Sequence, residues 1–379
     1  MKKVIGIIDQ GGLVYDETSL GTGSIGGSET WLIEVAHEFA SRGYHVIVFN
    51  GGNEQHSHFD EYGVEWVPFS SFSTRIQYQY FTHIIILRIY ETLLNLIEES
   101  GCCDNVSIMC EDWGCGYWYH HEGVDDCYYL NINEALELRS PILKKIVVLS
   151  KFHQEWIEKN MLIPSDMIEI IPNGINIRDI VYSGLKQTRD NTILWSSRPE
   201  RGLDILCDEI LPRLKQLIPN AKVHICSYTD IPDHFKNREN EGIFYLGKYT
   251  KHELYKEMSN HKVWFYPAVY PETFCITSLE TALNGNLPVL PFRHGMATTF
   301  EPFKGFFMKH RFKEIWSLDG VIVKDNEHAI NEAVSMIAEY MTNFEKYRNL
   351  QESLYHYVIK NYSWTQVVNK WEKMFQTFR

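Results

Sequence analysis

The chain is short of positive charge. Its 36 lysines and arginines stand against 49 aspartates and glutamates, a net charge of −13, whereas a nucleic-acid binder takes much of its affinity from cationic contacts to phosphates. The same deficit argues against a basic anchor on an anionic membrane. Long apolar runs are also missing. A membrane helix needs about 18 or more apolar residues, and the best stretch, His83 to Tyr90, stops short of that and contains Arg88. Met1-Lys2-Lys3 runs directly into Val4-Ile5-Gly6-Ile7-Ile8, which is too brief for a signal sequence and reads as a buried first strand. The eight cysteines, at 102, 103, 110, 115, 127, 207, 226 and 275, lack the paired spacing of a secreted disulfide framework. They are read as reduced thiols, and the chain as soluble and cytoplasmic. Cys110, Cys115, His120, His121 and Cys127 invite a zinc reading but contain no C-x-x-C knuckle, and they are read instead as core thiols and loop histidines. No internal repeat or low-complexity tract is present.

What the chain does have is size and alternation. At 379 residues, 44% of them apolar and 14% aromatic, it exceeds the span of one core and can fill two. Apolar runs at Val4 to Ile8, His45 to Phe49, Val64 to Pro68, His83 to Leu87, Val106 to Met109 and Lys145 to Leu149 alternate with helical or loop stretches. That order predicts a mostly parallel sheet built from βαβ units. Between Asp179 and Asn191 periodicity disappears. A second series follows at Thr192 to Trp195, Ala221 to Cys226, Ile243 to Leu246 and Val263 to Tyr266. The fold class is therefore α/β, with two Rossmann-like doubly wound domains at 1–180 and 192–363, joined by a linker at 181–191. A helical stripe at Leu203, Leu206, Ile210, Leu214 and Leu217 belongs to the second domain, as do an expected strand at Gly320 to Val323 and a helix from about Glu327 to Tyr340. An amphipathic helix closes the chain at about 364–379.

The stretch Pro271 to Val289 carries the most information. Thr277 or Ser278 is expected to cap a helix whose Leu279, Ala282 and Leu283 face inward, and Gly285 ends it. Glu272 and Glu280 then flank a helix N-terminus, where free N–H groups and the dipole favour a phosphate. In the loop after Thr192 to Trp195, Arg198 and Arg201 sit at the carboxyl end of a first strand, the edge where doubly wound domains bind ligands. Two guanidinium groups there can hold a diphosphate through charge-assisted bonds. Surface ion pairing is the competing explanation.

Gly21-Thr22-Gly23-Ser24-Ile25-Gly26 matches G-x-G-x-x-G and suggests dinucleotide binding. Against it, about a dozen residues separate the glycines from the strand, where the motif requires a tight turn. Asn50 also stands where an acid would hold a ribose hydroxyl. The loop is long, which favours function over an idle surface segment.

Taken together, P-E-T-F-x-I-T-x-L-E-T-A-x-x-G-x-x-P-V at 271–289, the glycine loop Gly26-Gly27-Ser28-Glu29, Val147 to Ser150, Pro172-Asn173-Gly174-Ile175, and the Arg198/Arg201 loop resemble the retaining glycosyltransferases of family four. The resemblance covers nearly the whole chain. It implies the GT-B fold, with two domains facing a cleft and the last helix crossing back to the first. It also implies a retaining transferase of hexosyl type, moving a sugar from a nucleotide diphosphate sugar to a hydroxyl acceptor on a glycan, lipid or protein-linked sugar. By that analogy Gly26 and Gly27 border the donor phosphates, and Arg198 and Arg201 hold the diphosphate with the N–H groups of Thr273, Phe274, Cys275 and Ile276. Glu280 binds the ribose, Glu272 the donor sugar, and the loop of Gly247 and Tyr249 the base. Arg201 departs from the usual lysine of the family.

A histidine that the family often places at a strand end is missing, and Asp112 stands near its position. This acid can steady an oxocarbenium or orient an acceptor hydroxyl, or it is a solvated loop acid. Trp113, Tyr117, Trp118 and His120 are acceptor-side candidates, with packing as the alternative. The Asn173-Gly174 pair after proline is read as a turn needing positive φ. No D-x-D stands among the matching elements, Asp125-Asp126 lying outside them, so neither a metal nor another cofactor is expected. Peripheral membrane contact is left open. Two other classes compete: a non-catalytic sugar-nucleotide or glycan-binding protein on a degenerate scaffold, favoured by the missing histidine, and an NAD-dependent oxidoreductase built on Gly21 to Gly26.

Overall fold

The structure is a computed structural model that describes residues 3–11, 15–22, 25–51, 57–120, 127–177, 188–227, 230–313, 316–317, 320–321 and 326–378. Its contacts divide the chain into two compact units, one of Met1–Ser19, Ile25–Gly174 and Trp364–Arg379, the other of Leu20–Ser24 and Ile175–Ser363. Gly23 and Ser24 of the glycine motif, His121, Asp125, Asp126, and positions 181–187 of the expected linker lie outside the described residues, as do the side chains of His120 and Cys127.

The first unit begins with β1 (Val4–Asp9), a helical turn α1 (Ser19–Thr22) and helix α2 (Gly27–Ser41). It continues through β2 (His45–Asn50), β3 (His58–Phe59), β4 (Glu65–Pro68), α3 (Phe72–Arg75), β5 (His83–Leu87), α4 (Leu93–Ser100) and β6 (Val106–Met109). A hairpin, β7 (Tyr119–His120) with β8 (Cys127–Tyr128), precedes β9 (Leu143–Val148), α5 (Lys151–Asn160) and β10 (Ile168–Ile170). The large sheet runs β10-β9-β6-β5-β1-β2-β4-β3. Every pairing in it is parallel except β3 on β4. Its central strands are buried but for Val4 and His45 at the starts of β1 and β2, the physical reason they read as nearly unbroken apolar runs. The expected strands His83 to Leu87 and Val106 to Met109 are reproduced residue for residue. The short strands β3 and β10 carry no pattern that sequence reading could use. Ser150 caps α5, its Oγ accepting from the His153 N–H at 3.1 Å.

In the second unit, β11 (Asp190–Trp195), β12 (Lys222–Cys226), β13 (Ile243–Gly247), β14 (His261–Phe265) and β15 (Leu287–Val289) form an all-parallel sheet ordered β13-β12-β11-β14-β15. The helix after β11 opens as a π-helical turn, Ile205–Ile210, and continues as α6 (Leu211–Leu217) with Pro212 in its first turn. Proline cannot donate to the residue four back, and a widened turn accommodates it. The predicted stripe is buried at Leu203, Leu206, Ile210 and Leu214, but Leu217 is 62% exposed. Leu217 is the last residue of α6, between the buried Leu214 and Ile218.

Helix α7 (Lys251–Met258) is closed by a capping box between Thr250 and Glu253. Helix α8 (Ile276–Leu283) differs from expectation at its start. Its cap is Cys275, in the left-handed region at φ +75°, and Thr277 and Ser278 lie within the first turn. The Ser278 hydroxyl bonds back to the Cys275 carbonyl at 2.7 Å instead of capping. Gly285 ends the helix at φ +74°, as expected.

Helices α9 (His294–Thr299), α10 (Glu327–Thr342) and α11 (Arg348–Tyr362) follow. Of the expected strand at Gly320 to Val323, Gly320–Val321 is described and pairs with Trp316–Ser317.

The last helix, α12 (Trp364–Phe375), belongs to the first unit. Its Trp371 meets Trp31 of α2 with ring centroids 5.9 Å apart, and Arg42 reaches Glu372 at 2.6 Å. The same helix corrects the reading of Gly174, which does not have the positive φ expected of it. A Cβ at that position would stand 2.4 Å from the Trp364 ring, so the glycine is there to let the two meet.

Candidate active site

In the second unit the candidate residues gather at the carboxyl edge of the sheet. Arg201 follows β11 in the 3-10 turn Pro199–Arg201. Its Nη1 donates to Glu272 Oε1 at 2.7 Å, and the guanidinium lies 4.2 Å from the centre of the Tyr270 ring. Tyr266, just past β14, donates its hydroxyl to the same Glu272 oxygen at 2.5 Å. Burial, with the Glu272 charge beside it, pushes the Tyr266 phenol well up, so it remains a neutral donor. Arg201 is thus pinned by a carboxylate on one side and an aromatic face on the other. Arg198 caps the same turn with its side chain 49% exposed, and its pair with Glu200 at 3.8 Å is long.

Glu280, 1% exposed in α8, accepts from Lys251 Nζ at 2.5 Å and from the Tyr255 hydroxyl at 3.1 Å. Lys251 and Tyr255 are four apart on α7, so one face of that helix supplies both partners. The loop between β14 and α8 is held tightly. Ala268 and Cys275 adopt positive φ, as does His294 at the start of α9, strain that persists where surrounding structure enforces it. The Gly295 N–H donates to the Glu272 carbonyl at 2.9 Å, and a Cβ at Gly295 would lie 2.2 Å from the Thr273 carbonyl oxygen. Thr273, Phe274, Cys275 and Ile276 form the entry to α8, with Phe274 buried. Gly247, at φ +106°, ends β13, and half-buried Tyr249 follows it.

The first unit has a charged cluster of its own at the carboxyl ends of β1, β5 and β6. Arg88 directly follows β5 at φ +64°. Its guanidinium stands 3.6 Å from Asp9, 3.7 Å from Glu29 and 3.8 Å from Asp112. Asp9 is held by the Tyr15 hydroxyl at 2.7 Å and the Gly11 N–H at 2.9 Å. Gly26 caps α2 and Gly27 opens it; a Cβ at Gly26 would meet Glu29 Oε2 at 2.6 Å. Glu111 is buried beside Asp112 and accepts from the Asn173 amide at 3.0 Å. Burial pushes its carboxyl up to about 8, the charges of Asp112 and Glu29 adding to the effect while Asn173 and Arg88 oppose it. It is therefore mostly protonated at neutral pH.

The loop behind this cluster is anchored by His153, whose Nε2–H donates to the Trp113 carbonyl at 3.0 Å while its Nδ1 accepts from the Leu149 N–H. Burial lowers that imidazole to about 4, so it is a neutral structural bridge. The Trp113 ring packs on Trp156 and Phe152 at 5.4 and 5.7 Å. Tyr117 and Trp118 are 51% and 58% exposed. His120 is in β7.

Sequence reading did not find Asp9, Glu29, Arg88, Glu111, Tyr266, Lys251, Tyr255 or Gly295 as site residues. The strand-end rule applied to β1, β5, β6 and β14 would have reached Asp9, Arg88, Glu111 and Tyr266; Glu29, Lys251, Tyr255 and Gly295 are brought in by packing between segments. Asn50 donates its amide to the Tyr15 carbonyl at 2.8 Å, a structural task unlike ribose recognition. Cys102, Cys103, Cys110, Cys115, Cys207, Cys226 and Cys275 are free thiols. Among the described residues no helix is long and apolar enough to cross a membrane.

No protein-family profile and no curated protein matches the chain. Solved structures do. A glycosyltransferase from Rickettsia africae aligns over 99% of this chain and 98% of its own, with TM-score 0.66 and 16% identity. HepE of Anabaena, in complex with UDP and glucose, covers 100% of both chains at TM-score 0.64 and 12% identity. WaaG, a glycosyltransferase involved in lipopolysaccharide biosynthesis, covers 98% and 99% at TM-score 0.63 and 13% identity. At these identities the likeness establishes the fold: the chain has the GT-B fold.

Proposed function

We propose that this GT-B chain transfers a sugar from a nucleotide diphosphate sugar to a hydroxyl acceptor, with retention at the anomeric carbon and without a metal ion. The observation that carries the reading is the Arg201–Glu272–Tyr266 network beside the N-terminus of α8. A guanidinium already fixed in place needs no reorganisation when a diphosphate departs, and preorganised charge of this kind is the usual source of rate. In this reading Arg198 and Arg201 take the diphosphate with the α8 N–H groups, Glu280 the ribose and Glu272 the donor sugar.

The bond from the anomeric carbon to the diphosphate oxygen breaks as the acceptor oxygen bonds on the same face. The acceptor proton passes to the departing phosphate. On the first unit, Asp112 and the exposed rings of Tyr117 and Trp118 are assigned to the acceptor. Free thiols support a reducing, cytoplasmic location.

The test is a thermal-shift screen of UDP, GDP, ADP and CMP. UDP and glucose are bound by HepE, so UDP-glucose is added as a donor. A ligand at 100 times its Kd stabilises by about 2.7 kcal/mol, roughly 5 to 10 °C for a unit of this size. A screen with no shift, or a shift unchanged in Arg201→Ala, would refute the donor site. Anomeric coupling in the product by NMR checks retention; turnover that requires added Mg²⁺ or Mn²⁺ would overturn the metal-free claim.

A further inference from the structure

Away from the candidate active site, three metal-ligating side chains from three elements converge in the second unit: His224 of β12, Glu257 of α7 and His261, the first residue of β14. His261 Nε2 lies 2.9 Å from Glu257 Oε1, and His224 Nδ1 lies 3.4 Å from the same oxygen. The three ligand atoms are all within 4.8 Å of one another. A tetrahedral ion bound at about 2.0–2.1 Å sets its ligands roughly 3.3 Å apart, so only small side-chain movements separate the cluster from a coordination shell.

The surroundings are organised as in metal sites, where the second nitrogen of a ligating histidine is held by a further group. His261 is fully buried, and its Nδ1 stands 2.7 Å from Thr192 Oγ1. The Thr192 hydroxyl reaches the Asp190 carbonyl at 3.5 Å. With Nε2–H donating to Glu257 Oε1, that proton sits where an ion would stand, and an ion that displaces it takes both the Nε2 lone pair and the carboxylate oxygen. Asn260 steadies the other Glu257 oxygen at 3.2 Å. The side chains of His224 and Glu257 are partly exposed, which leaves an entry path and a position for water.

We propose that His224, Glu257 and His261 bind one zinc-class divalent ion that fastens the C-terminal end of α7 to the sheet. Two imidazoles and one carboxylate suit zinc or cobalt better than calcium or magnesium, which prefer all-oxygen shells. The site begins β14, whereas the candidate donor residues lie past the opposite end of that strand. The ion's role is therefore to hold α7, whose Lys251 and Tyr255 hold Glu280. Nothing in it depends on the proposed reaction.

The experiment uses full-length protein stripped with chelator and titrated with Co²⁺, read by visible ligand-field absorption, and with Zn²⁺, read by melting temperature. One equivalent of ion is expected, with a tetrahedral cobalt spectrum and a raised melting point. His224→Ala and Glu257→Gln, at partly exposed positions where circular dichroism confirms folding, are each expected to weaken binding at least tenfold. His310→Ala, at an exposed histidine stacked on His328, is expected to bind as the parent does. Absence of a one-equivalent cobalt spectrum, or parent-like binding by His224→Ala, overturns the proposal.

Discussion

Replacing Glu111 by glutamine should change stability in a pH-dependent way that can be worked out in advance. Its carboxyl is buried, and its folded value of about 8 lies above the ordinary 4.5. A carboxyl raised by folding leaves stability intact below pH 4.5, where both states are protonated. As pH rises the unfolded chain gives up its proton while the folded chain keeps it, so stability is lost at about 1.4 kcal/mol per pH unit until the folded group also ionises near 8. The loss amounts to roughly 2.5 kcal/mol between pH 5 and 7, about 1.4 more between pH 7 and 9, and then little. Glutamine mimics the protonated acid and can still accept from Asn173, so Glu111→Gln escapes the penalty. Thermal unfolding of the two proteins across this range should show the variant gaining on the parent by roughly 5 to 10 °C from pH 5 to 7, with the gap levelling off above pH 9. A gap that does not vary with pH, or that closes as pH rises, would refute the burial argument.

Three further outcomes are expected. Arg201→Ala should weaken nucleotide diphosphate binding at least tenfold by calorimetry, with Arg201→Lys intermediate, because lysine keeps the charge but loses the fork that fits Glu272 and phosphate together. Gly295→Ala and Gly174→Ala should each cost about 1–3 kcal/mol by overpacking, since their Cβ atoms would meet the Thr273 carbonyl and the Trp364 ring; only Gly295→Ala should also impair nucleotide binding. Trp118→Ala, at a largely exposed ring, should raise the KM for acceptor by several-fold, as loss of one stacking ring does, and leave nucleotide affinity unchanged.

Much of the second unit's candidate site was legible because its residues lie close together in the sequence. Arg198 and Arg201 lie in one loop, and Glu272 and Glu280 flank one helix start, so short-range pattern places each pair. What the pattern missed there is equally local: Cys275, not Thr277 or Ser278, caps α8, because the loop entering from β14 imposes a left-handed turn that no side-chain preference announces. In the first unit legibility was lower. Arg88, Asp9, Glu29 and Asp112 are ordinary residues in isolation, spread over more than a hundred positions, and become a cluster only when β1, β5 and β6 lie side by side.

The sequence by itself determined the two parallel sheets, because strands buried on both faces must be continuous runs of apolar residues between polar turns. It also placed Arg201 in the loop after β11 and Glu272 in the loop between β14 and α8. Only the tertiary structure decided which groups face one another: the Tyr266 and Arg201 bonds on one Glu272 oxygen, the protonated Glu111 and the His224–Glu257–His261 cluster. Gly174 is the plainest case, a residue that reads as a turn and is kept small by a tryptophan from the far end of the chain. Local preference acts over a few residues, whereas burial, charge and steric exclusion depend on neighbours that chain order does not specify.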